Sequence, residues 1–539
     1  MNLPQATLTV AFLVFSSFLR AQSSWPESLI LTPEKSEFTK TSTYHDVIKF
    51  LDTLKSKSEE INLISMGKTH EGKVIPIAIL SSPAVASPME AKATGKPVVY
   101  IQGNIHGGEV EGKEALLMLM REILLGDKHH LLDNQILLFA PIYNADGNDK
   151  MEAVRRPSQE DSPLLVGTRE NGQGLDLNRD GMKMEAPETR GLISLISTWD
   201  PQVFVDLHTT NGTWHAYDLT WAPSYHTTGH LQTYTYTLDM LKTITSNMEE
   251  KHRLRLGPYG EYHLSEGWPP KNFYTYNHHP RYLVNQFGLR NRMAILSEAF
   301  SHERFYQRIN STYQFVLEIL QYTNTHAKEI ESINKVAEEA VVQYVVTKAG
   351  KVKKGVRFKM ESNEKLSEFW TYDYIKAQKA DSANEWLRTG KVISLKDILY
   401  HATFPPILEA TLPHGYIIPA EFSNVAELLQ RHGVKVTKLT KSRRYAGESF
   451  MIDKLTKAEK KFEGHFMASA QGQFVITNQT FKKGDFAVDL AQPLSNLIFY
   501  LLEPQSDDGL LTWNFFDSYL EKHGVNNTPV RYPVFKYIH

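Results

Sequence analysis

The 539-residue chain contains no cysteine. This absence excludes a thiolate metal site, a thiol nucleophile and a lipid anchor on cysteine, so any metal must be held by His, Asp or Glu. With 59 Lys and Arg against 61 Asp and Glu, the net charge of −2 gives no electrostatic case for nucleic acid or an anionic membrane as a partner. His-Glu-x-x-His and Gly-x-Ser-x-Gly motifs are also missing, which leaves two common hydrolase mechanisms without support.

Residues 6–19, near the N-terminus, form an uncharged apolar segment. This segment is too short to span a bilayer comfortably and has the length of a signal-peptide core. The polar Gln22-Ser23-Ser24 that follows favours cleavage over a buried N-terminal helix. We therefore predict a signal peptide over residues 1–21 and an exported protein, periplasmic or extracellular, with no stable membrane insertion after cleavage. Because secreted animal enzymes usually carry disulfides, the lack of cysteine indicates a bacterial protein.

The length predicts two or three domains. Apolar strands alternate with helices up to about residue 340, which predicts an α/β domain over 22–340. Its sheet is expected to be mostly parallel or mixed, with helices on both faces. From 341 onward, short strands with Lys/Gly turns begin with a predicted strand at 341–347. They predict a separate α+β accessory domain over 341–539.

Residues 97–103 predict a buried strand that leads into a glycine-rich turn containing His106 and Glu109. A helix is predicted to begin just after this turn, at Glu111. An imidazole nitrogen and a carboxylate oxygen at this spacing can bind one zinc ion from a single short loop. The glycines let the backbone bend there and leave room above the metal.

The spacing His-x-x-Glu alone is weak evidence, since it occurs three times. The other copies are His263-Leu-Ser-Glu266 and His326-Ala-Lys-Glu329. His326 lies in a charged, helical segment that predicts a solvated i,i+3 pair, and no strand precedes His263. Only the copy at His106 lies where a buried strand meets a helix, the usual place for a site in an open α/β sheet.

The same turn also fits the spacing of a phosphate-binding loop, Gly107-Gly-Glu-Val-Glu-Gly112-Lys113. Glu114 stands where such a loop needs a Ser or Thr hydroxyl to bind magnesium. Glu109 and Glu111 would also bring negative charge into a cradle for phosphates. The chemistry therefore argues against a nucleotide site.

Two further strands end in residues of matching chemistry. Residues 202–207 lead into His208, and residues 293–297 lead into Glu298. Alone, His208 would be interpreted as a capping or core histidine and Glu298 as a salt-bridged strand end. In a parallel sheet, however, the carboxyl ends of the strands share one edge, where these residues can meet His106 and Glu109. Two histidines and a glutamate leave a fourth zinc position open, and a nearby carboxylate that is not a ligand can take a proton from water.

Together with several further pieces, these residues resemble the zinc metallocarboxypeptidases of the carboxypeptidase A type. The pieces occur in family order over residues 44–329. They are His106-x-x-Glu109, Asn144-Ala-Asp-Gly147, Thr168-Arg169-Glu-Asn171, Leu175-Asp-Leu-Asn178-Arg179, Asp206-Leu-His208 and Ser297-Glu298.

The resemblance implies a metal site and a base. His106, Glu109 and His208 would bind one zinc ion per chain. Glu298 would be the general base that activates the zinc-bound water and then passes its proton to the leaving amine. Asp176, which would not itself be a ligand, would orient the His106 imidazole.

The resemblance also implies a substrate site. Asn178 and Arg179 would hold the terminal carboxylate of the substrate, and Arg169 would polarise the scissile carbonyl and stabilise the oxyanion. For the family tyrosine that closes over the substrate, Tyr276 is favoured over Tyr274 and Tyr282. The segment that follows it departs from the usual specificity loop, so no side-chain preference is implied.

We therefore predict an exported zinc carboxypeptidase that hydrolyses the C-terminal bond of peptides or proteins. One alternative is a zinc deacylase or cell-wall peptide amidase of the same superfamily, since these motifs would also suit an acyl amino acid. A second alternative is a peptide-binding protein that has lost catalysis. The presence of Glu298 argues against it, because a binding module has no use for the base.

Overall fold

The computed structural model describes residues 25–159, 161, 163–225, 227, 229–377 and 385–538. No helix in these ranges is long and apolar enough to cross a bilayer. The predicted signal peptide, residues 1–21, lies outside the described residues, and export therefore stays a prediction.

Eight strands of the N-terminal half form one mixed sheet, in the order β1-β2-β4-β3-β7-β11-β8-β9. The strands of this half are β1 Ile61–Lys68, β2 Val74–Leu80, β3 Val98–Gly103, β4 Ile136–Ala140, β5 Glu152–Ala153, β6 Leu165–Val166, β7 Val203–Thr209, β8 Leu219–Pro223, β9 Leu256–Pro258, β10 Asn272–Tyr274 and β11 Met293–Ala299. The central strands β4, β3, β7 and β11 run parallel, whereas β2 and β8 are antiparallel to their inner neighbours. The predicted α/β fold with a mixed sheet is confirmed.

Helices cover both faces of this sheet. They are α1 Thr32–Lys35, α2 Tyr44–Lys57, α3 Pro88–Thr94, α4 Glu111–Leu125, α5 Ala145–Asp149, α6 Pro187–Trp199, α7 Leu231–His252, α8 Leu283–Leu289, α9 Phe305–Thr325 and α10 Ala327–Lys348. Along β3, Val99 and Ile101 belong to the apolar core that contains residues of α4 and α9, whereas Tyr100 belongs to the core that contains residues of α6 and α8. Side chains alternate between the faces of a strand, so burial on both faces accounts for the continuous apolar composition of these strands.

The start of α2 shows how local sequence determines an element boundary. The Thr43 side chain accepts a hydrogen bond from the backbone N–H of Asp46, and the Asp46 carboxylate accepts one from the backbone N–H of Thr43. This reciprocal capping satisfies two N–H groups that the first turn leaves without helical partners. The helix then buries one apolar face, formed by Val47, Phe50, Leu51 and Leu54.

Residues 341–347 are helical, and the predicted strand there is wrong. They form the last turns of α10, in which Val341 and Val345 lie one turn apart and are buried. The β-branched residues of this segment have strand-like composition, but their burial follows the period of a helix. Helix α10 follows α9 directly, and the two helices meet at His326. The predicted domain boundary at 340/341 falls inside α10, and the division into domains stays a prediction.

After α10 the chain is rich in strands, which confirms an additional C-terminal α+β region in which strands predominate. Its strands are β12 Lys353–Phe358, β13 Glu361–Leu366, β14 Phe369–Lys376, β15 Trp386–Leu395, β16 Ile398–Thr403, β17 Pro406–Thr411, β18 Gly415–Ile418, β19 Thr437–Lys438, β20 Arg443–Lys457, β21 Ala468–Phe481, β22 Phe486–Asp489, β23 Val530–Arg531 and β24 Phe535–Tyr537. Its helices are α11 Ser423–Arg431, α12 Ser495–Leu502 and α13 Asp517–Lys522.

The C-terminal region is tightly joined to the N-terminal half. Strand β10 of the first half pairs in parallel with β16 of the second, in a three-stranded sheet with β13. One apolar core also runs from Tyr100 of the central sheet to Ile498 of α12. The long antiparallel hairpin of β20 and β21 belongs to this region, and its turn reaches the edge of the central sheet where the candidate site lies.

Candidate active site

The carboxyl ends of β3, β7 and β11 bring the predicted residues to one edge of the sheet. His208 of β7 and Glu298 of β11 are direct register partners in neighbouring parallel strands. His106 lies in the turn between β3 and α4, next to β7. The topology therefore places together the three strand ends that the sequence pattern indicated.

His106, Glu109 and His208 form a compact group of possible metal ligands. His106 Nδ1 lies 2.9 Å from Glu109 Oε1, and His208 Nδ1 lies 3.0 Å from Glu109 Oε2. One ligand atom from each side chain lies within 4.8 Å of the others, and all three residues are buried. Two imidazole nitrogens and a carboxylate oxygen in this arrangement fit a catalytic zinc ion with an open fourth position.

The outer nitrogen of each histidine faces a carboxylate. His106 Nε2 lies 3.1 Å from Asp176 Oδ1, where Asp176 was predicted to orient this ring. His208 Nε2 lies 3.1 Å from Asp206 Oδ2, which the sequence reasoning missed. Asp206 precedes His208 by two residues in a strand, so period-2 alternation alone puts both on one face and could have indicated the pair. Such carboxylates fix the orientation of a ligating imidazole and raise its basicity.

Charge pairing within the site outweighs burial for two of these groups. Burial opposes ionisation of Glu109, but His106 and Arg156 hold the pKa of this carboxyl well below its usual range. Burial would lower the pKa of His208, but the Asp206 and Glu109 carboxylates raise it well above the usual value. The surroundings thus stabilise negative charge on Glu109 and positive charge on His208.

Glu298 differs from Glu109, although both are buried carboxyl groups in the same cavity. Burial raises the pKa of Glu298, against the opposing charge of His208, and the charge of Glu109 adds to the rise. A carboxyl with a raised pKa beside a metal site can accept and release a proton. The environment therefore separates a ligand carboxylate from one suited to proton transfer.

Polar side chains from the segment between β6 and α6 also reach the site. Arg169 donates through Nε to Asp176 Oδ2 at 2.9 Å, and its Nη1 lies 3.4 Å from His106 Nδ1. Arg179 donates to the Asn178 carbonyl at 2.9 Å, and its guanidinium lies over the Tyr282 ring at 4.5 Å. These residues line the same cavity as the ligand group, as predicted for a site that binds an anion and a carbonyl.

The cavity has a volume of about 490 Å³, and its lining includes nine residues already discussed: His106, Glu109, Arg156, Arg169, Asn178, Arg179, His208, Tyr276 and Glu298. Asp176 is not in this lining. The size suits a peptide end or another small polar ligand. The structure therefore brings every predicted metal, catalytic and substrate residue to one cavity.

Arg156 is the cationic residue of this cavity that the sequence reasoning did not find. Its Nη1 donates to Glu109 Oε1 at 2.8 Å, and its Nη2 donates to the Thr209 carbonyl at 2.9 Å. It lies in an irregular segment next to the two-residue strand β5, where neither periodicity nor a motif indicates a role. Only the fold shows that it contacts a predicted metal ligand.

Tyr276 forms part of the cavity wall, with its hydroxyl fixed. The hydroxyl lies 3.0 Å from both the Pro223 carbonyl and Asn285 Oδ1. The Tyr276 and Tyr282 rings meet edge to face, with centroids 5.5 Å apart. Both contact of Tyr276 with the substrate and its closure over the substrate stay predictions.

Asn144 holds together the loops that carry these side chains. Its Oδ1 accepts the Gly147 N–H at 2.9 Å, which caps α5. Its Nδ2 donates to the carbonyls of Ile105 at 3.1 Å and Arg169 at 3.2 Å. One amide thus links the loop that contains His106 to the loop that contains Arg169.

Gly107 permits this close approach of loops, because a Cβ there would lie 2.3 Å from the Gly147 carbonyl carbon and 2.6 Å from the Thr168 carbonyl oxygen. Gly107→Ala should therefore lower the free energy of unfolding by about 1–3 kcal/mol and reduce zinc binding, measured by denaturant unfolding and metal analysis. Gly72→Ala is the control: φ there is +90°, but a Cβ meets nothing within 4 Å. It should cost about 1 kcal/mol through backbone strain and keep zinc. Equal zinc affinity in the two variants would contradict the packing argument.

The profile of the zinc carboxypeptidase family matches residues 47–340, more than half of the chain. The chain belongs to the zinc carboxypeptidase family. As a member it is a zinc-dependent hydrolase, a metallocarboxypeptidase.

Similarity to curated members of the family extends beyond these residues. Carboxypeptidase 2 of Trichophyton rubrum is 22% identical over 502 residues, which cover 87% of this chain and 81% of that protein. Carboxypeptidase Z of Mus musculus is 30% identical over 146 residues, 26% of this chain and 21% of its own length. A solved metallo-carboxypeptidase from Burkholderia cenocepacia aligns with 53% of this chain and 70% of its own, at 16% identity and a TM-score of 0.39. The predicted bacterial origin stays a prediction.

Proposed function

We propose that this metallocarboxypeptidase releases single residues from the free C-termini of peptides or proteins. One observation carries the proposal: the His106, Glu109 and His208 group, the Glu298 carboxyl, and the Arg169, Asn178 and Arg179 wall all line one cavity. A deacylase or amidase also needs the metal group and the base. The cationic wall beside them suits a substrate that ends in a carboxylate.

The donor set fits zinc. It combines two imidazoles with one carboxylate. The outer nitrogen of each imidazole lies beside an aspartate, which orients the ring. Neighbouring charges lower the pKa of the Glu109 carboxyl, which favours the ionised form that binds a metal. We propose that His106, Glu109 and His208 hold one zinc ion. When bound, zinc supplies a Lewis acid that polarises a carbonyl group and increases the acidity of water.

Arg179 and Asn178 would bind the terminal carboxylate of the substrate. The Arg179 guanidinium offers planar, bidentate donors, and the Tyr282 ring beneath it limits its motion. The Asn178 carbonyl accepts from Arg179, while Asn178 Oδ1 accepts the backbone N–H of Leu283 at 3.0 Å. The Asn178 amide N–H groups are therefore the part of this side chain that suits a carboxylate.

Arg169 would bind the carbonyl oxygen of the scissile bond. The Asp176 carboxylate accepts a hydrogen bond from Arg169 Nε, and Arg169 Nη1 lies near the His106 ring. A fixed guanidinium at this position stabilises the negative charge that develops on that oxygen during attack. Tyr276 would contact the C-terminal side chain from the cavity wall.

Glu298 would transfer the proton. In the ionised form its carboxylate takes a proton from the attacking water as the oxygen–carbon bond forms. It then gives this proton to the nitrogen of the leaving amine as the carbon–nitrogen bond breaks. Water and an amide are thereby converted to a carboxylic acid and an amine, with Glu298 returned to its starting form.

A matched peptide set tests the proposal. A peptide with a free C-terminus should lose one residue at a time by mass spectrometry, whereas its C-terminal amide should show kcat/KM at least about 10²-fold lower, because Arg179 and Asn178 then lack their anionic partner. Arg179→Gln should reduce this difference in kcat/KM, because it should slow cleavage of the free-acid peptide but not of the amide. Release of acyl groups or of cell-wall amines instead would favour a deacylase or amidase, and zinc binding without any cleavage would favour a silent binding protein.

We also propose that the protein is exported after loss of residues 1–21 and that residues 341–539 form an accessory domain. The support is the apolar segment at 6–19 and the strand-rich composition after α10. The intact mass of the exported protein tests the first point, since a mature chain should begin near Gln22. Limited proteolysis tests the second, since a separable accessory domain should leave a stable N-terminal fragment that ends just after α10.

A further inference from the structure

The turn of the long C-terminal hairpin lies against the active-site loop. Strands β20 and β21 pair over their whole length, and the turn between them, residues 458–467, is called here the hairpin tip. At its end, Phe462 and His465 exchange backbone hydrogen bonds of 2.9 and 3.0 Å around Glu463 and Gly464. The hairpin tip is therefore a tight and defined structure.

Glu463 adopts an unusual backbone conformation in this turn. Its φ is +48° and that of Gly464 is +81°, so both central residues have positive φ, as in a type I′ turn. Asn-Gly is the residue pair that this turn favours, and a glutamate at the first position is strained there. Local turn preference therefore does not explain why a glutamate occupies this position.

The Glu463 side chain makes a contact that a shorter residue would not reach. Its Oε2 accepts the backbone N–H of Asp176 at 3.1 Å. The Asp176 carboxylate in turn accepts hydrogen bonds from Arg169 and from the backbone N–H of Asn178, and it faces His106 Nε2. Glu463 thus holds the backbone of the residue that joins the metal group to the substrate wall.

Separate contacts anchor the hairpin tip against the N-terminal half. His465 Nε2 lies 2.9 Å from Glu185 Oε1, a few residues beyond the active-site loop. The guanidinium of the buried Arg281 lies over both the Phe462 ring, at 5.3 Å, and the Trp513 ring, at 4.9 Å, and it pairs with Asp508 at 2.8 Å. These contacts fix the distance between the Glu463 backbone and the Asp176 N–H, which the Glu463 side chain must span.

The charge of Glu463 is less important than its length. Burial raises the pKa of the Glu463 carboxyl, and the nearby Asp176 charge adds to the rise, while the hydrogen bond from the Asp176 backbone N–H and the charges of Lys183 and Arg179 oppose it. The carbonyl oxygen of a glutamine side chain has the same reach and can also accept the Asp176 N–H. Glutamine should therefore replace glutamate at this position, whereas asparagine, one methylene shorter, should not.

We propose that Glu463 is a positioning residue for substrate binding: the C-terminal region uses the hairpin tip to hold the turn from Asp176 to Arg179 in its carboxylate-binding geometry. The inference rests on the proposed function, because it concerns how that site is kept in shape. It gives the strand-rich C-terminal region a role in the active site without a catalytic group of its own.

Two substitutions in the full-length zinc-bound enzyme test this role. Glu463→Asn, which precedes Gly464, should keep or raise the unfolding temperature because it suits the turn. It should keep one zinc per chain but raise KM for a peptide with a free C-terminus roughly tenfold, with a smaller change in kcat. Glu463→Gln should keep KM within about twofold of the unchanged protein. Glu459→Asn, at an exposed position of the same hairpin tip, is the control and should change neither value.

The outcomes separate this inference from the proposed function. Unchanged KM in Glu463→Asn would overturn the positioning role, and so would an equal rise in KM in Glu463→Gln. A lower unfolding temperature with parallel losses of zinc and kcat would show a purely structural role and would also overturn it. Absence of C-terminal release by the unchanged protein would instead refute the proposed function itself.

Discussion

Glu298→Gln should lower kcat by about 10²- to 10⁴-fold while the zinc content stays near one per chain, because the amide can neither take the proton from water nor deliver it to the leaving amine. Glutamine has nearly the same size, so the packing around this buried residue should be unchanged. Single-turnover assays with a free C-terminal peptide, together with metal analysis, measure the effect. They also separate slow chemistry from weak substrate binding.

A matched control for this variant lies in the same cavity. Glu261 also lines it, and its carboxylate accepts a hydrogen bond from Asn211 at 2.9 Å. Glu261→Gln removes the same charge from the cavity and should change kcat only a few-fold. If both variants lost activity equally, net charge rather than proton transfer would explain the loss, and Glu298 would no longer be the base.

His106→Ala should release most of the zinc and abolish turnover, because it removes one of the three proposed ligands and leaves Asp176 without its imidazole partner. Loss of an outer partner alone costs about 10- to 100-fold in metal affinity, so loss of a ligand should cost more. Equilibrium dialysis against a zinc buffer series, followed by activity assays at saturating zinc, would measure both effects.

The control uses another copy of the same sequence spacing. His326 and Glu329 form an exposed pair 3.2 Å apart at the start of α10, as the sequence predicted for a solvated pair. His326→Ala should therefore leave zinc affinity and turnover unchanged. Full zinc binding by His106→Ala, or zinc loss from His326→Ala, would disprove the ligand assignment.

The central sheet could be predicted from the sequence because each strand carries its own signal. Strands buried on both faces are continuously apolar, and each meets a helix start or a polar strand end. His208 and Glu298 follow from this pattern, since residues at the ends of parallel strands share an edge. The strand predicted at 341–347 is wrong because composition and spacing disagree there. The β-branched residues indicated a strand, and only the spacing of the buried Val341 and Val345 is that of a helix.

Contacts between distant loops could not be predicted. Arg156 reaches Glu109 from an irregular segment, and Glu463 reaches Asp176 from 287 residues along the chain. Neither residue lies in a periodic element or a motif, so only the packing of the loops determines its partner. Asp206, by contrast, could have been predicted. It lies two residues before His208 in the same strand, and this spacing alone places its side chain beside the His208 ring.

Zinc reconstitution of the chelated protein shows whether release of the C-terminal residue depends on bound zinc. Zinc is added in steps to protein freed of metal, and release of the C-terminal residue from a free-acid peptide is followed by mass spectrometry. We predict no release without metal, and a rise in single-residue release that saturates at one zinc per chain. Full release by the metal-free protein, or cleavage at internal bonds only, would contradict it.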